Sequence, residues 1–196
     1  MDSELVALTQ AELLALALEA TRRGDSGHSM AYLKEAGARE DATEQAHFLL
    51  GSEYAQIGLM DQSRLHLQRA IDLNPGFAIA RFQLGLLHLT NGQPQEALDI
   101  WAPLTALGGD HPLEIFRLGM QHLVRDEFAD CIQCLERGIA LNAENPALNA
   151  NMQLVIERVK ALPSEPPESG SKSGESAKEE PHGHLFLNAY TGGKVH

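Results

Sequence analysis

Apolar residues recur at helical spacing along most of the chain, in short runs separated by polar turns that contain glycine. Between residues 42 and 77, apolar and small side chains recur three and four positions apart in two runs, which Gly58 separates. Residues at this spacing share one face of an α-helix, so the pattern predicts amphipathic helices rather than strands. Pro75 ends the second run, because it lacks a backbone N–H and restricts Asn74. The stretch therefore predicts two helices joined by a tight turn.

The same pair of helices recurs along the chain. The dipeptide Leu50-Gly51 reappears at intervals of 34 residues, and so does the turn glycine Gly58. The equivalents are Leu84-Gly85 and Leu118-Gly119 for the dipeptide, and Gly24 and Gly92 for the turn glycine. A period of this length built on helix-turn-helix units is typical of a solenoid, in which each unit covers the apolar face of its neighbour.

This pattern resembles the tetratricopeptide repeat (TPR) family. The resemblance covers roughly residues 10–162 and is strongest over 44–111. Gly51 occupies the family's small-residue position, where a missing side chain lets the second helix of a repeat approach the first. The resemblance implies an all-α fold: a right-handed α-solenoid of about four 34-residue repeats, with a C-terminal capping helix and a disordered tail.

The resemblance and the composition together divide the chain into eight segments. We expect a lead-in (1–9), four repeats (10–43, 44–77, 78–111 and 112–145), a capping helix (147–162), a disordered linker (163–181) and a C-terminal apolar motif (182–196). Thr9 and Glu12 have the spacing of a capping box at the start of the first helix. In the last repeat Asp126 replaces the turn glycine, which a type I turn tolerates, and Gly138 replaces the small alanine of the second helix.

The first helix of each repeat carries an apolar face that, in the family, lines the concave surface. Stepping by 34 residues places Leu14, Phe48, Phe82 and Phe116 in one row, Leu18, Ser52, Leu86 and Met120 in a second, and Thr21, Ala55, Leu89 and Leu123 in a third. We expect a partner-binding groove formed by Leu14, Leu18, Phe48, Ser52, Phe82, Leu86, Leu89, Phe116, Met120 and Leu123. Such a groove would suit an apolar peptide or one face of an amphipathic helix. The alternative is that these side chains pack between adjacent helices as core.

One known binding mode of the family does not fit this sequence. Some members hold the C-terminal carboxylates of chaperones through Lys and Asn on the concave face. The corresponding positions here include Leu14, Leu18, Phe48 and Ser52, and the nearby Arg81 and Arg117 lack the accompanying pattern. We therefore expect no carboxylate clamp.

After Leu162 the chain becomes rich in Pro, Ser, Glu, Gly and Lys, and then ends on a short apolar motif. The linker has no large apolar residue, so it cannot offset an ordering cost of roughly 1–2 kcal/mol per residue. The motif contains Leu185, Phe186, Leu187 and Tyr190. It could dock in the groove of its own or a neighbouring copy, it could be a linear motif for another protein, or it could have no role.

Composition and motifs exclude several classes of function. A formal net charge of −12 argues against nucleic-acid binding, and no basic amphipathic helix suits a membrane surface. Cys131 and Cys134 lie on a predicted helix, where packing is their expected role, and no second cysteine pair completes a zinc site. The nine histidines form no spaced ligand set, although His182 and His184 could bind a metal ion weakly. No catalytic motif is present, so we expect neither enzyme activity nor a cofactor.

These features predict a cytoplasmic protein-interaction module. The expected roles are an adaptor, an assembly factor or a chaperone that holds an apolar segment of its client, with possible regulation by its own tail. The alternative is a structural protein that self-assembles when its tail inserts into the next copy. A cytoplasmic location is expected because the acidic start, MDSELVALTQ, lacks the positive region of a secretory signal.

Overall fold

The computed structural model describes residues 5–162, and every regular element in that range is helical. The α-helices of this range are α1 (Gln10–Arg22), α2 (Ser26–Ala38), α3 (Glu44–Gln56), α4 (Met60–Leu73), α5 (Ala78–Thr90), α6 (Pro94–Trp101), α7 (Pro112–Val124), α8 (Phe128–Leu141) and α9 (Pro146–Lys160). A 3₁₀ helix, Ala102–Leu107, follows α6 directly, where Pro103 prevents continuation of the α-helical hydrogen bonds. The predicted linker and C-terminal motif lie outside the described residues.

The chain divides into two compact units, where the sequence predicts one repeat domain. Unit 1 ends at Leu87 and contains α1 to α4 and most of α5, while unit 2 begins at His88. In unit 1, α1 packs on α2 and α3 packs on α4, and α2 also packs on α3. In unit 2, α7 packs on α8, and α8 packs on α9.

Glycine is required where the two helices of a repeat approach each other. A Cβ atom on Gly51 would lie 3.0 Å from Cγ of Leu67 and 3.2 Å from its backbone nitrogen. At the equivalent position of unit 2, a Cβ on Gly119 would lie 2.7 Å from Cδ2 of Leu135. Real Cβ atoms essentially never come as close as 2.7 Å to another atom, and contacts of 3.0–3.2 Å are tighter than most. The missing side chain therefore allows the close approach of α3 to α4 and of α7 to α8.

Left-handed backbone conformations end the first helix of every repeat. Gly24, Gly58 and Gly92 have φ angles of 73°, 79° and 76°, and Asp126 has a φ of 58° at the equivalent turn. Asp126 is therefore not a central residue of a type I turn, because both central residues of that turn have negative φ; it follows Arg125, and its N–H donates to the carbonyl of Leu123 over 3.1 Å. Asp126 adopts the glycine conformation of the other repeats, which a short polar side chain tolerates better than most.

Capping and burial explain where the chain's outer helices begin and how they pack. The predicted capping box at α1 is confirmed: Glu12 N–H donates to Thr9 Oγ1 over 3.3 Å, and Thr9 N–H donates to Glu12 Oε2 over 2.7 Å. The backbone N–H of Thr9 lowers the pKa of the Glu12 carboxyl.

The last described helix, α9, buries the apolar face expected from its sequence: Leu148, Met152, Val155, Ile156 and Val159.

Candidate protein-interaction surface

Part of the predicted groove keeps accessible apolar surface in unit 1. Leu18 on α1 is 43% exposed, and Leu14, one turn earlier on the same face, is half-buried. Phe48 and Ser52 on α3 and Leu86 on α5 are also half-buried. Leu14 contacts the core cluster formed by Ala17, Leu33, Leu50 and Tyr54, so one side of its side chain is anchored. These five predicted residues keep solvent-accessible surface.

The α3 part of this surface is held by one contact at the end of its own repeat and one with the following repeat. The ring of Phe48 meets the ring of Phe77 edge-on, with centroids 5.3 Å apart. Ser52 Oγ lies 2.9 Å from the carbonyl oxygen of Phe48 and 3.0 Å from Oε1 of Gln83, so its single hydroxyl proton is donated to one of the two. Phe48 and Ser52 are therefore held in place by contacts within the chain.

The other five predicted groove residues belong to the core. Phe82 and Phe116 are 0% exposed, and Leu89, Met120 and Leu123 are 2–3% exposed. The sequence itself carries the signal for Phe116, because Gly138 stands where the family has alanine. A Cβ on Gly138 would lie 2.4 Å from Cε1 of Phe116, so the ring occupies the space that alanine would need. This burial corrects their assignment to the groove and favours the alternative reading as core.

Arg117, one of two arginines considered for a carboxylate clamp, is already paired. It is 9% exposed and binds Glu114, itself 6% exposed, through two hydrogen bonds of 2.6 Å and 2.8 Å from Nε and Nη2. Its Nη1 also donates to Oε1 of Gln121 over 2.7 Å. The guanidinium is therefore committed to structure within α7.

Two histidines and a tyrosine stack between α3 and α4. His47 and His66 have ring centroids 5.3 Å apart, and their Nδ1 atoms lie 3.0 Å apart. Tyr54 stacks on His66 at 5.4 Å, and Lys34 Nζ lies 6.0 Å from the centre of the tyrosine ring. Burial lowers the pKa of both imidazoles. Arg69 lowers the pKa of His47 further, and His47 that of His66.

The histidine pair makes stability depend on pH. Because the folded-state pKa values lie below the ordinary value of 6.5, the unfolded chain binds more protons in this range, and stability rises with pH. We expect the melting temperature to be lower at about pH 5.5 than at about pH 7.5, because stability is lost as pH falls through the unfolded pKa. In His66→Phe the difference should shrink. An equal difference in that variant would assign the effect to other groups.

A buried carboxylate lies beside the exposed end of α1. Glu53 on α3 is 7% exposed, and its Oε1 lies 3.3 Å from Thr21 Oγ1 and 3.4 Å from Ser29 Oγ. The two hydroxyl oxygens are 2.8 Å apart, and Thr21 Oγ1 is also 3.0 Å from the carbonyl oxygen of Ala17. The sequence analysis missed this cluster. Its one signal is that the residue 34 positions after Glu53 is the apolar Leu87.

The two cysteines lie in α8 and are free thiols. Cys131 is 0% exposed, and burial raises its pKa to about 12. Burial also raises the pKa of Cys134, which is half-buried. Nucleophilic chemistry requires the thiolate, so neither cysteine is placed for catalysis.

One group of potential metal ligands was missed by the sequence reasoning. His122, Glu127 and Asp130 place their ligand atoms within 4.8 Å of one another around the turn between α7 and α8. His122 Nδ1 already forms a hydrogen bond of 2.5 Å with Glu127 Oε2, and both carboxylates are exposed. The sequence analysis expected no ligand set among the histidines. In this group His122 is already hydrogen-bonded to Glu127, and both carboxylates are solvated.

Comparison with known proteins identifies the repeat. The sequence pattern described as tetratricopeptide repeat matches residues 44–77 and, in a second match, residues 66–99. The chain contains tetratricopeptide repeats. Curated protein sequences gave no match.

Solved structures show the same fold for this TPR protein. The crystal structure of MamA is 19% identical and has a TM-score of 0.56, covering 70% of this chain and 81% of MamA. A MamA fragment from Desulfovibrio magneticus RS-1, residues 41 to the end, is 16% identical with a TM-score of 0.54, covering 77% of this chain and 94% of the fragment. The fold is typical of non-catalytic scaffolds that bind other proteins. Within residues 5–162, none of the helices is long and apolar enough to cross a bilayer.

Proposed function

We propose that this TPR protein is an adaptor, assembly factor or chaperone that binds an apolar segment of a partner protein on unit 1. The binding surface consists of the five accessible groove residues, Leu14, Leu18, Phe48, Ser52 and Leu86. It is smaller than the ten-residue groove expected from the sequence, because the other five residues are buried. Its size suits a short peptide or one or two turns of an amphipathic helix.

The exposure of Leu18 is the observation that carries this proposal. Leu18 is 43% exposed, whereas Met120, the residue at the same repeat position in unit 2, is 2% exposed. Leu18 lies next to half-buried Leu14 on α1. Apolar side chains that are anchored on one side and accessible on the other lose little conformational entropy when a ligand covers them.

A matched pair of leucine variants tests the surface. We expect Leu18→Glu to weaken binding of peptides selected on the full chain from a random display library by at least about tenfold, since a charge would replace apolar contact. Leu154→Glu is the control, because Leu154 on α9 is 54% exposed and lies in unit 2. Binding is measured by fluorescence anisotropy, and both variants should keep the wild-type melting temperature. Equal effects of the two variants on binding would contradict the proposal.

We also propose a cytoplasmic location and a docking role for the C-terminal motif. The motif, Leu185, Phe186, Leu187 and Tyr190, lies outside the described residues. Its candidate docking sites are the chain's own groove, the groove of a second copy and another protein. Light scattering of the full chain and of a chain ending at Leu162 tests the alternative that the protein self-assembles through its tail. A mass that rises with concentration only in the full chain would support insertion of the tail into another copy, and a monomer throughout would exclude it.

A further inference from the structure

Glu53 is a buried acid without a basic partner among residues 5–162. Its hydrogen bonds come from two hydroxyl groups, Thr21 and Ser29, at 3.3 Å and 3.4 Å. Each hydroxyl has one proton, and three acceptors compete for the two protons: the Glu53 carboxylate, the other hydroxyl and the carbonyl of Ala17. These hydroxyl groups therefore give the carboxylate at most two long hydrogen bonds, and neither brings a positive charge.

The repeat accepts an apolar residue at this position. In the next repeat the equivalent residue is Leu87, which is 7% exposed, the same fraction as Glu53. There the residue equivalent to Ser29 is Ser63, whose buried Oγ has no hydrogen-bond partner among residues 5–162. Glu53 thus accepts from hydroxyl groups to which a leucine would offer no acceptor, but those groups bring no positive charge. A buried acid without a basic partner costs stability, and residues that cost stability are concentrated at functional sites.

The Glu53 carboxylate lies close to the proposed binding surface. Thr21 is exposed and follows Leu18 by three residues, so both lie on one face of α1. Glu53 lies directly behind Thr21, one side chain below the surface that carries Leu18. The arginines that follow Thr21 pair with Glu19: Arg22 Nη1 at 3.5 Å and Arg23 Nε at 2.9 Å from its carboxylate oxygens.

We infer that Glu53 binds a cationic side chain, lysine or arginine, which the partner segment carries beside the apolar residue that contacts Leu18. This inference rests on the proposed function and names the partner's chemistry: an apolar segment with an adjacent basic residue. A charge pair that forms away from bulk water is stronger than an exposed one. The chain's net charge of −12 would favour the approach of a basic segment.

Peptide selection combined with a charge-matched control tests the inference. Peptides are selected on the full chain from a random display library, and those that lose binding to Leu18→Glu are kept. We expect them to contain Lys or Arg beside Leu or Phe. Glu53→Gln should weaken their binding by at least about tenfold, whereas Glu144→Gln, an exposed acid in unit 2, should change it less than about twofold. Replacing the basic residue by norleucine should weaken binding to the wild type and have no further effect on Glu53→Gln.

The melting temperature separates ligand binding from a structural role. Glu53→Gln should melt at the wild-type temperature or above, because the amide costs less to bury than the carboxylate. A marked drop would mean that Glu53 holds α1, α2 and α3 together, and would overturn the inference. Selected peptides without a basic residue, or equal binding by Glu53→Gln, would also overturn it while leaving the Leu18 surface intact. Peptides that match residues 182–196 would identify the chain's own tail as the occupant and overturn the assignment to a separate partner.

Discussion

Phe116→Ala is expected to lower the free energy of unfolding by about 3–5 kcal/mol, the range for removing a fully buried phenylalanine. The ring is 0% exposed and lies against the backbone of α8 at Gly138, so its removal leaves a cavity that the surrounding helices cannot close. A phenylalanine on an open groove would cost far less, typically within about 0.5 kcal/mol for an exposed site. Chemical denaturation followed by circular dichroism measures the difference.

Phe48→Ala provides the comparison at the same repeat position. Phe48 is half-buried in unit 1, where its ring touches Phe77, so we expect a smaller loss of stability than for Phe116→Ala. Its effect on peptide binding should instead exceed that of Phe116→Ala among molecules that remain folded. If the two variants lost equal stability, the division of the predicted groove into core and surface would be wrong.

Glu114→Ala should also lower the free energy of unfolding by about 3–5 kcal/mol, because it leaves a buried guanidinium without its carboxylate. Glu114 and Arg117 are both more than nine-tenths buried and joined by two hydrogen bonds. Gln121 is the further hydrogen-bond partner of Arg117, and an amide oxygen cannot neutralise the charge. Thermal and urea denaturation at constant ionic strength measure the loss.

The double variant Glu114→Leu/Arg117→Leu tests the cause of that loss. Replacing both members of a buried pair by apolar residues is often neutral or stabilising, so most of the stability lost in Glu114→Ala should return. A double variant as unstable as Glu114→Ala would show that packing, rather than the unpaired charge, produces the effect.

Helix positions were predictable from the sequence because they depend on local periodicity and on residues with distinct backbone properties. The capping box of Thr9 and Glu12 depends on a spacing of three residues, which the sequence shows directly. Gly51 was assigned to the close approach of two helices, and the structure places Leu67 there. Such features involve neighbours within one repeat, and a 34-residue period repeats them.

Depth of burial was not predictable in the same way. Side chains at equivalent repeat positions point from their helices in the same direction, but neighbouring helices do not cover them equally. Leu18 and Met120 belong to one row of the predicted groove, yet Leu18 is 43% exposed and Met120 is 2% exposed. Gly138 was recognised as a departure from the family pattern, but only the structure shows that the ring of Phe116 uses the space. The burial of Glu53 was not predictable for another reason. A glutamate in an amphipathic pattern is usually solvated, and the hydroxyl groups that contact Glu53 belong to Thr21 and Ser29, which are distant in sequence.

The raised pKa values of the two thiols in α8 have a practical consequence for reactivity. At neutral pH, Cys131 and Cys134 hold very little thiolate, and Cys131 is also shielded from solvent. The thiolate is the nucleophile that reacts with alkylating reagents and peroxides, so both native cysteines should react slowly with them. They are the only two cysteines of the chain. A single cysteine introduced at an exposed site such as Glu144 would therefore accept a fluorescent maleimide selectively, without removal of either native residue.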